Sequence, residues 1–566
     1  MTGADSLILN IILALIVLSV TIFCGLPFLW KTRLRGITRL SLSFAVGFVI
    51  ILLLGILASF CTLNPLQFQV PGMILCIGTS IILYQRYGWN PEFDRDDKII
   101  LGVTGLYLFV AIFFFYRIIM WMSGDAVAHA EMIRMLIDGE NLPVGLPGIS
   151  RYAEYYPKGF HYYAYVWASI FPLLNVIQVL PVIITSITPV LLYSIVREFR
   201  KNDAVFACII ACFMFPAHYS YLIWGGYPSA SAEMLFVAMI LALIVQIRLV
   251  PIILLGIFFA HARIMALAIP VLITGMYAMK MKINIQYIHK LVLSGLFVCI
   301  LAIFLFYNKP EYLLSVFSDK TLASDFISRW YPALLALLGA AIAVTRNDRL
   351  DRLTLTWTGV VLLIILLADA GPLRFIGTAD RLLLVLYLPL SILAATATGC
   401  MIHGNIQVKN IVIVLLTVIG VLSMGVVLYS YAGSWALPQE DYAAMMWLSE
   451  QNFNDTACIN LDETGAWIYP LTGIEVAKSR TNIGFGNGLP NKIAANPINK
   501  NFIKELQRIK HENILIFISN VSLSRPGYIP PFSIHHKPYP TVNMNFSEKN
   551  YELLYDEGTK IFKFIV

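Results

Sequence analysis

Apolar runs of roughly twenty residues recur along most of the chain, broken by short polar loops. Each is long enough to cross a hydrocarbon core about 30 Å thick as a helix whose backbone satisfies itself. The pattern predicts spans near 7–29, 40–62, 71–85, 99–121, 175–197, 203–222, 229–248, 286–307, 331–346, 353–370, 381–402 and 409–431. Residues 250–279 are too long for one crossing and are interrupted by "HAR" at 261–263, so they read as two short legs, for 14 segments in all. After residue 431 the rhythm changes. "QEDYAAMMWLSEQ" and "NKNFIKELQRIKH" carry helical periodicity, "ACINLD" and "NILIFIS" read as strands, and "YELLYDEGTKIFKFIV" reads as a hairpin turned at Asp556, Glu557 and Gly558. Residues 480–500, rich in Asn, Gly and Pro, read as loop. The expected fold is a polytopic α-helical membrane protein of about 14 transmembrane segments with a small C-terminal α/β domain.

Composition fits that division. The 566 residues are 13% charged, against about 25% in ordinary soluble domains, which excludes a soluble enzyme of this size. Residues 432–566 hold 12 basic and 13 acidic side chains, so the charge is concentrated in the tail. Of the eight cysteines, seven lie in apolar runs and Cys458 is alone in the tail, leaving no pair there for a disulfide. The net charge of +7 does not point to nucleic acid, because 18 of the 28 basic residues before the tail collect in short loops on one side, from Lys31 to Lys409. By the positive-inside tendency that side is cytoplasmic, which puts the remaining loops and the tail on the exoplasmic side of a cell membrane. The first span has neither a basic start nor an A-x-A-like cleavage site and reads as a retained anchor. Sequons at Asn454, Asn520 and Asn545 fit an exoplasmic tail.

Candidate chemistry gathers on the exoplasmic side. In residues 122–171, Asp125 and His129 are four apart, so a helix over 125–138 puts them on one face beside Met132, Ile133 and Leu136, lying along the membrane surface. "GENLPVGLPG" breaks that helix, and "YYPKGFHYYAYVWASIF" begins a second amphipathic piece whose tyrosines and Trp167 suit the headgroup zone. Arg117, two turns before Asp125 inside a span, is expected to face the protein interior or a watery cavity. His218, Glu233, His261, Arg263, Asp369, Arg374, Asp380 and Arg381 fall at the same level, which predicts a cavity opening outward. The tail shows no metal-ligand spacing, Gly-rich phosphate loop or nucleophile elbow.

A span ending in an acidic residue, a surface helix, a Gly/Pro break, "YYPKGFHYY" and a following span resemble the GT-C superfamily of polytopic glycosyltransferases, which use polyprenyl-phosphate-linked sugars. "GIFFAHARIMALAIPVLITG" at 256–275 looks like the short broken helix pair of that superfamily. The resemblance covers roughly 99–431, with 1–98 as an extra three-helix membrane element, an exoplasmic loop at 122–174, and 432–566 as the exoplasmic domain. The tail has no "WWDYG"-like start, which argues against the oligosaccharyltransferase branch. The resemblance implies transfer of a sugar to an acceptor on the exoplasmic face, with inversion. Asp125 then serves as general base with His129 as its neighbour or alternative. Lys158, Arg263 and Arg381, with Arg117 as an outside candidate, neutralise the leaving phosphate, and Tyr156, His161, His261 and Glu233 border the substrates. A divalent cation on Asp125, His129 or His161 is conceivable, but oxygen ligands are few, so an obligatory metal is not expected. The implied partners are a polyprenyl-phosphate-linked sugar, a glycan, lipid or protein acceptor, and membrane lipids. Two alternatives use the same features: a polymerase or ligase of lipid-linked glycans acting through the outer arginines and His261, and a multi-pass transporter or flippase.

Overall fold

The computed structural model describes residues 3–30, 32, 34, 36–88, 92–120, 124–139, 157–279, 331–369, 379–402, 406–451, 453, 455–461, 464–479, 493–509, 511–525 and 542–565. Twelve helices come first: α1 (Gly3–Leu29), α2 (Gly36–Phe60), α3 (Pro65–Tyr87), α4 (Arg95–Ile118), α5 (Gly124–Ile137), α6 (Gly159–Ala168), α7 (Leu173–Arg197), α8 (Lys201–Ile209), α9 (Pro216–Trp224), α10 (Tyr227–Val245), α11 (Val250–Ala260) and α12 (Ala262–Ala278). Then follow α13 (Tyr331–Arg346), α14 (Arg349–Asp369), α15 (Ala379–Val385), α16 (Tyr387–Met401), α17 (Ile406–Trp435) and α18 (Gln439–Glu450).

Among the described residues nine helices are long and apolar enough to cross a membrane, or ten if the bent pair Lys201–Met214 and Pro216–Trp224 is one span. The described residues thus hold fewer such helices than the expected 14 segments. Ile247–Ala260, Ala262–Ala278 and Pro332–Arg346 are apolar but shorter, and the expected span 286–307 lies outside the described residues. The eleven residues of α11 reach only about 16 Å, too little to cross alone. The break falls at His261, whose extended backbone (φ −162°, ψ 104°) separates α11 from α12 as the "HAR" interruption predicts.

Packing separates a protein-facing set of helices from a lipid-facing one. In α7 every residue from Asn175 to Val196 is buried. By contrast α3 exposes Ile74, Leu75 and Ile82, and α17 exposes Ile411, Val414, Leu422 and Val426. Apolar surface of that extent is costly in water and ordinary against lipid tails. A contiguous apolar core runs from Leu13 in α1 through the bundle to Trp467 and Ile561 in the tail, so α1 and α2 share the core of the rest and α3 packs against it through Leu66, Met73 and Ile77.

The end of the bundle where α4 begins is tied by ion pairs. Asp94 and Asp97 form a reciprocal capping box at the start of α4, and Asp348 and Asp351 bond each other's backbone N–H in the same way at the start of α14. Arg197 clamps the first box through Asp94 (2.9 Å) and Asp97, while Arg200 clamps the second through Asp348 (2.6 Å) and Asp351 (2.5 Å). These arginines are therefore structural as well as charged.

The tail carries a five-stranded sheet of β1 (Thr456–Asn460), β2 (Glu475–Ser479), β3 (Asn513–Ile518), β4 (Tyr551–Asp556) and β5 (Lys560–Phe564), in the order β2-β1-β3-β5-β4. The first three are parallel and β5 runs antiparallel to both β3 and β4, with Gly558 at φ +80° in the hairpin turn. Strand alternation divides the faces: Cys458, Leu515, Phe517 and Ile561 join the main core, and Ile459, Ile516, Ile518 and Phe562 form a second small one. The edge strand β2, "EVAKS", has too weak an apolar pattern to be foreseen.

Candidate functional site

The site forms where five chain segments meet at the other end of α4. Leaving α4, Ile119 adopts φ +61°, unusual for a β-branched residue. Its carbonyl accepts from the Gln178 side chain, and the Met120 carbonyl accepts from the Leu437 N–H at 2.7 Å. The chain is thereby held on α7 and on the segment entering the tail just before α5 begins. Gly225, at φ +82° after α9, lies so close to α5 that a Cβ there would come within 2.3 Å of the Ala126 nitrogen. A glycine is required at that contact by both conformation and space. Gly159 likewise starts α6 against the end of α11, where a Cβ would meet the Phe259 carbonyl at 2.7 Å.

These approaches bring together residues from α5, α6, the α9–α10 turn, the α11–α12 break and α15. Asp125 is half-buried in the first turn of α5, within electrostatic reach of Arg381 and Arg263. Burial raises its carboxyl above the usual aspartate range, while Arg381 and then Arg263 oppose that rise. His129, one turn on, is buried, and its Nδ1 lies 3.0 Å from Nε2 of the buried His161 in α6. Burial pushes His129 down to about 3 and His161 well below its normal value, the latter also disfavoured by His129 and Lys158, so both rings are neutral at ordinary pH. His261 is buried at the α11–α12 break, within electrostatic reach of Arg263, Arg381 and His129.

The arginine side of the cluster is walled by α9. The Arg381 guanidinium lies 5.6 Å from the centre of the Trp224 ring, an arrangement that favours a cation over the aromatic face. Trp224 in turn packs on Tyr221, whose hydroxyl bonds the buried carboxylate of Glu233 in α10. Glu233 therefore reaches Arg381 through two aromatic rings rather than standing beside Asp125. His218, also on α9, pairs its Nδ1 with the Tyr387 hydroxyl at 2.9 Å, deeper in the bundle.

Of the residues singled out in the sequence, Asp125, His129, His161, His261, Arg263 and Arg381 come together here. Lys158 sits at the N-terminus of α6, half-buried and in reach of His161 rather than of Asp125. Two expectations are corrected. Arg117 is exposed in the last turn of α4 instead of turned inward, where its long stem can carry the charge to the headgroup level. The aromatic piece after the Gly/Pro break is not a headgroup belt: all ten residues of α6 are buried, Tyr163 bonding Thr21 of α1 (2.9 Å) and stacking near Phe48 of α2 (4.2 Å between ring centres). Tyr156, Arg374 and most of the Gly/Pro break lie outside the described residues.

Sequence reasoning passed over Tyr227, Trp224 and Glu131. The first two flank the Gly-Gly turn in "WGGYP", which is the signal that could have found them. Glu131 is buried on α5, with burial raising its carboxyl well above the normal range. By helical spacing it shares a face with Arg134 and Asp138, and Asp138 accepts from the Tyr469 hydroxyl of the tail at 3.0 Å. The helix that carries Asp125 is thus docked on the tail by its other face. Among the described residues no group of three or more His, Cys, Asp or Glu side chains is placed to hold a metal ion.

No protein-family model matches the chain, and no curated protein matches its sequence. Among solved structures it is similar to the archaeal oligosaccharyltransferase AglB from Archaeoglobus fulgidus, which was solved with an inhibitory peptide and a dolichol-phosphate. The match has 11% identity and a TM-score of 0.40, over 78% of this chain and 70% of that one.

Proposed function

We propose that the chain is an integral membrane glycosyltransferase that moves a sugar from a polyprenyl-phosphate donor to an acceptor on the exoplasmic face, with inversion. The observation that carries this reading is the half-buried carboxylate of Asp125 within electrostatic reach of two guanidiniums, Arg381 and Arg263, at the end of a lipid-exposed helical bundle. Asp125 takes the proton of the acceptor hydroxyl as the oxygen bonds the anomeric carbon. The carbon–oxygen bond to phosphate breaks, and the electron pair leaves with the phosphate, whose growing charge the arginines neutralise. The two roles need opposite charges a short distance apart in a water-poor place, which is what the cluster offers.

His129 and His161 are too hard to protonate to act as the phosphate's cations, so their part is to hold α5 against α6 and to fix the orientation of the Asp125 face. Asp125→Asn is expected to abolish transfer from a polyprenyl-phosphate sugar while leaving the melting temperature within a few degrees of wild type. Near-normal turnover in Asp125→Asn would falsify the base assignment, and the same result with a dead Arg263→Ala would favour the lipid-linked polymerase or ligase reading.

A further inference from the structure

The Tyr227 side chain opens α10, two residues after the glycine that seats the α9–α10 turn on α5. It is fully buried, and its ring packs 5.8 Å from the centres of both His129 and Phe160. Its hydroxyl lies within electrostatic reach of Asp125, yet among the described residues it has no hydrogen-bond partner. A buried hydroxyl without a partner is destabilising, because it gives up its bonds to water for nothing. A hydroxyl meant to support the Asp125 carboxylate would donate to it, and this one does not.

Resting on the glycosyltransferase reading above, we infer that the Tyr227 hydroxyl is a specificity determinant that hydrogen-bonds a hydroxyl or ring oxygen of the transferred sugar. In an inverting displacement the nucleophile and the leaving phosphate approach the anomeric carbon from opposite faces, so the sugar ring lies between Asp125 and the arginines. Tyr227 stands at the Asp125 end, and the aromatic Phe160 packs against its ring. A neutral donor suits a neutral sugar oxygen, and a site that reserves a buried donor for a ligand rejects analogues lacking the matching oxygen.

The test uses the full chain in detergent micelles and compares binding of farnesyl phosphate with its mannosyl, glucosyl, galactosyl and N-acetylglucosaminyl phosphodiesters. Wild type is expected to bind at least one glycosylated probe more tightly than bare farnesyl phosphate. Tyr227→Phe, which keeps the ring, should weaken that probe about tenfold, the worth of one buried hydrogen bond, and leave farnesyl phosphate unchanged. Its melting temperature should match or exceed that of wild type, since an unsatisfied hydroxyl is removed; a purely structural role would lower it. Arg381→Ala should weaken both kinds of probe. If Tyr227→Phe binds every glycosylated probe as wild type does, or weakens bare farnesyl phosphate equally, the assignment of Tyr227 is overturned and the donor reading stands. If wild type gains nothing from any sugar, the sugar contact is likewise overturned. If wild type binds none of the probes, or Arg381→Ala binds all of them normally, the donor reading itself fails and takes the Tyr227 role with it.

Discussion

At the scale of residues, the site is defined by what burial does to ionisable groups. Asp125 is pushed above the ordinary carboxylate range, so a reaction that needs it as a base should lose rate on the acid side at a higher pH than a solvated aspartate would give. His129 is displaced in the opposite sense, and the consequence is for stability. Its folded value is depressed to about 3 from 6.5, so as pH falls below 6.5 the unfolded chain takes up a proton that the folded chain refuses. Stability is then lost progressively between 6.5 and about 3, and is fully present above that window. We expect the melting temperature to fall between pH 7 and pH 5, and His129→Asn to flatten that fall. An equal fall in His129→Asn would mean that other groups set the acid sensitivity. The candidate polar residues were legible in the sequence because ionisable groups are conspicuous in apolar runs. Tyr227 and Trp224 were not, because an aromatic side chain in such a run looks like core until its hydroxyl or its ring face is seen to lie within reach of a charge.

At the scale of elements, the site depends on close backbone approaches that hydropathy cannot register. The α11–α12 break and the α5 helix were readable, the first from polar residues inside an apolar stretch and the second from the four-residue spacing of Asp125 and His129, but α5 has no exposed face from Asp125 to Ile137 where a helix along the membrane surface was expected. The burial of α6 was not: tyrosines and a tryptophan near a span end suit the headgroup zone and a protein core equally, and only packing against α1 and α2 distinguishes them. The contact of Gly225 with Ala126 was also hidden, since a Gly-Gly pair signals a turn without saying what lies against it. Gly225→Ala would place a side chain at φ +82° and drive it into α5, at a cost of about 1–3 kcal/mol from conformation alone. We expect a lowered melting temperature together with weakened binding of farnesyl phosphate, because the same turn carries Trp224 under Arg381. Retained stability and binding would show that the turn does not position the site.

At the scale of the whole molecule, the two ends of the bundle serve different purposes. One is fastened by Arg197 and Arg200 across two capping boxes, where charges expected only to orient the chain also join α4, α7 and α14. The other gathers a carboxylate, two arginines and three histidines under a tail domain that grips the back of α5 through Tyr469 and Asp138. The division into apolar bundle and mixed tail was plain from the sequence, because hydropathy and charge density both change near residue 431. Span number was less so, since short apolar helices and crossings of full length look alike in composition. The central claim, sugar transfer at the Asp125 end, is tested most directly by the fate of the lipid. Native membranes enriched in the chain would be supplied with polyprenyl-phosphate sugars, and the lipid products followed by phosphorus NMR. The account predicts that free polyprenyl phosphate appears in step with glycosylated acceptor, and that Asp125→Asn forms neither. Unchanged donor in the wild-type membranes, or equal release by Asp125→Asn, would contradict it.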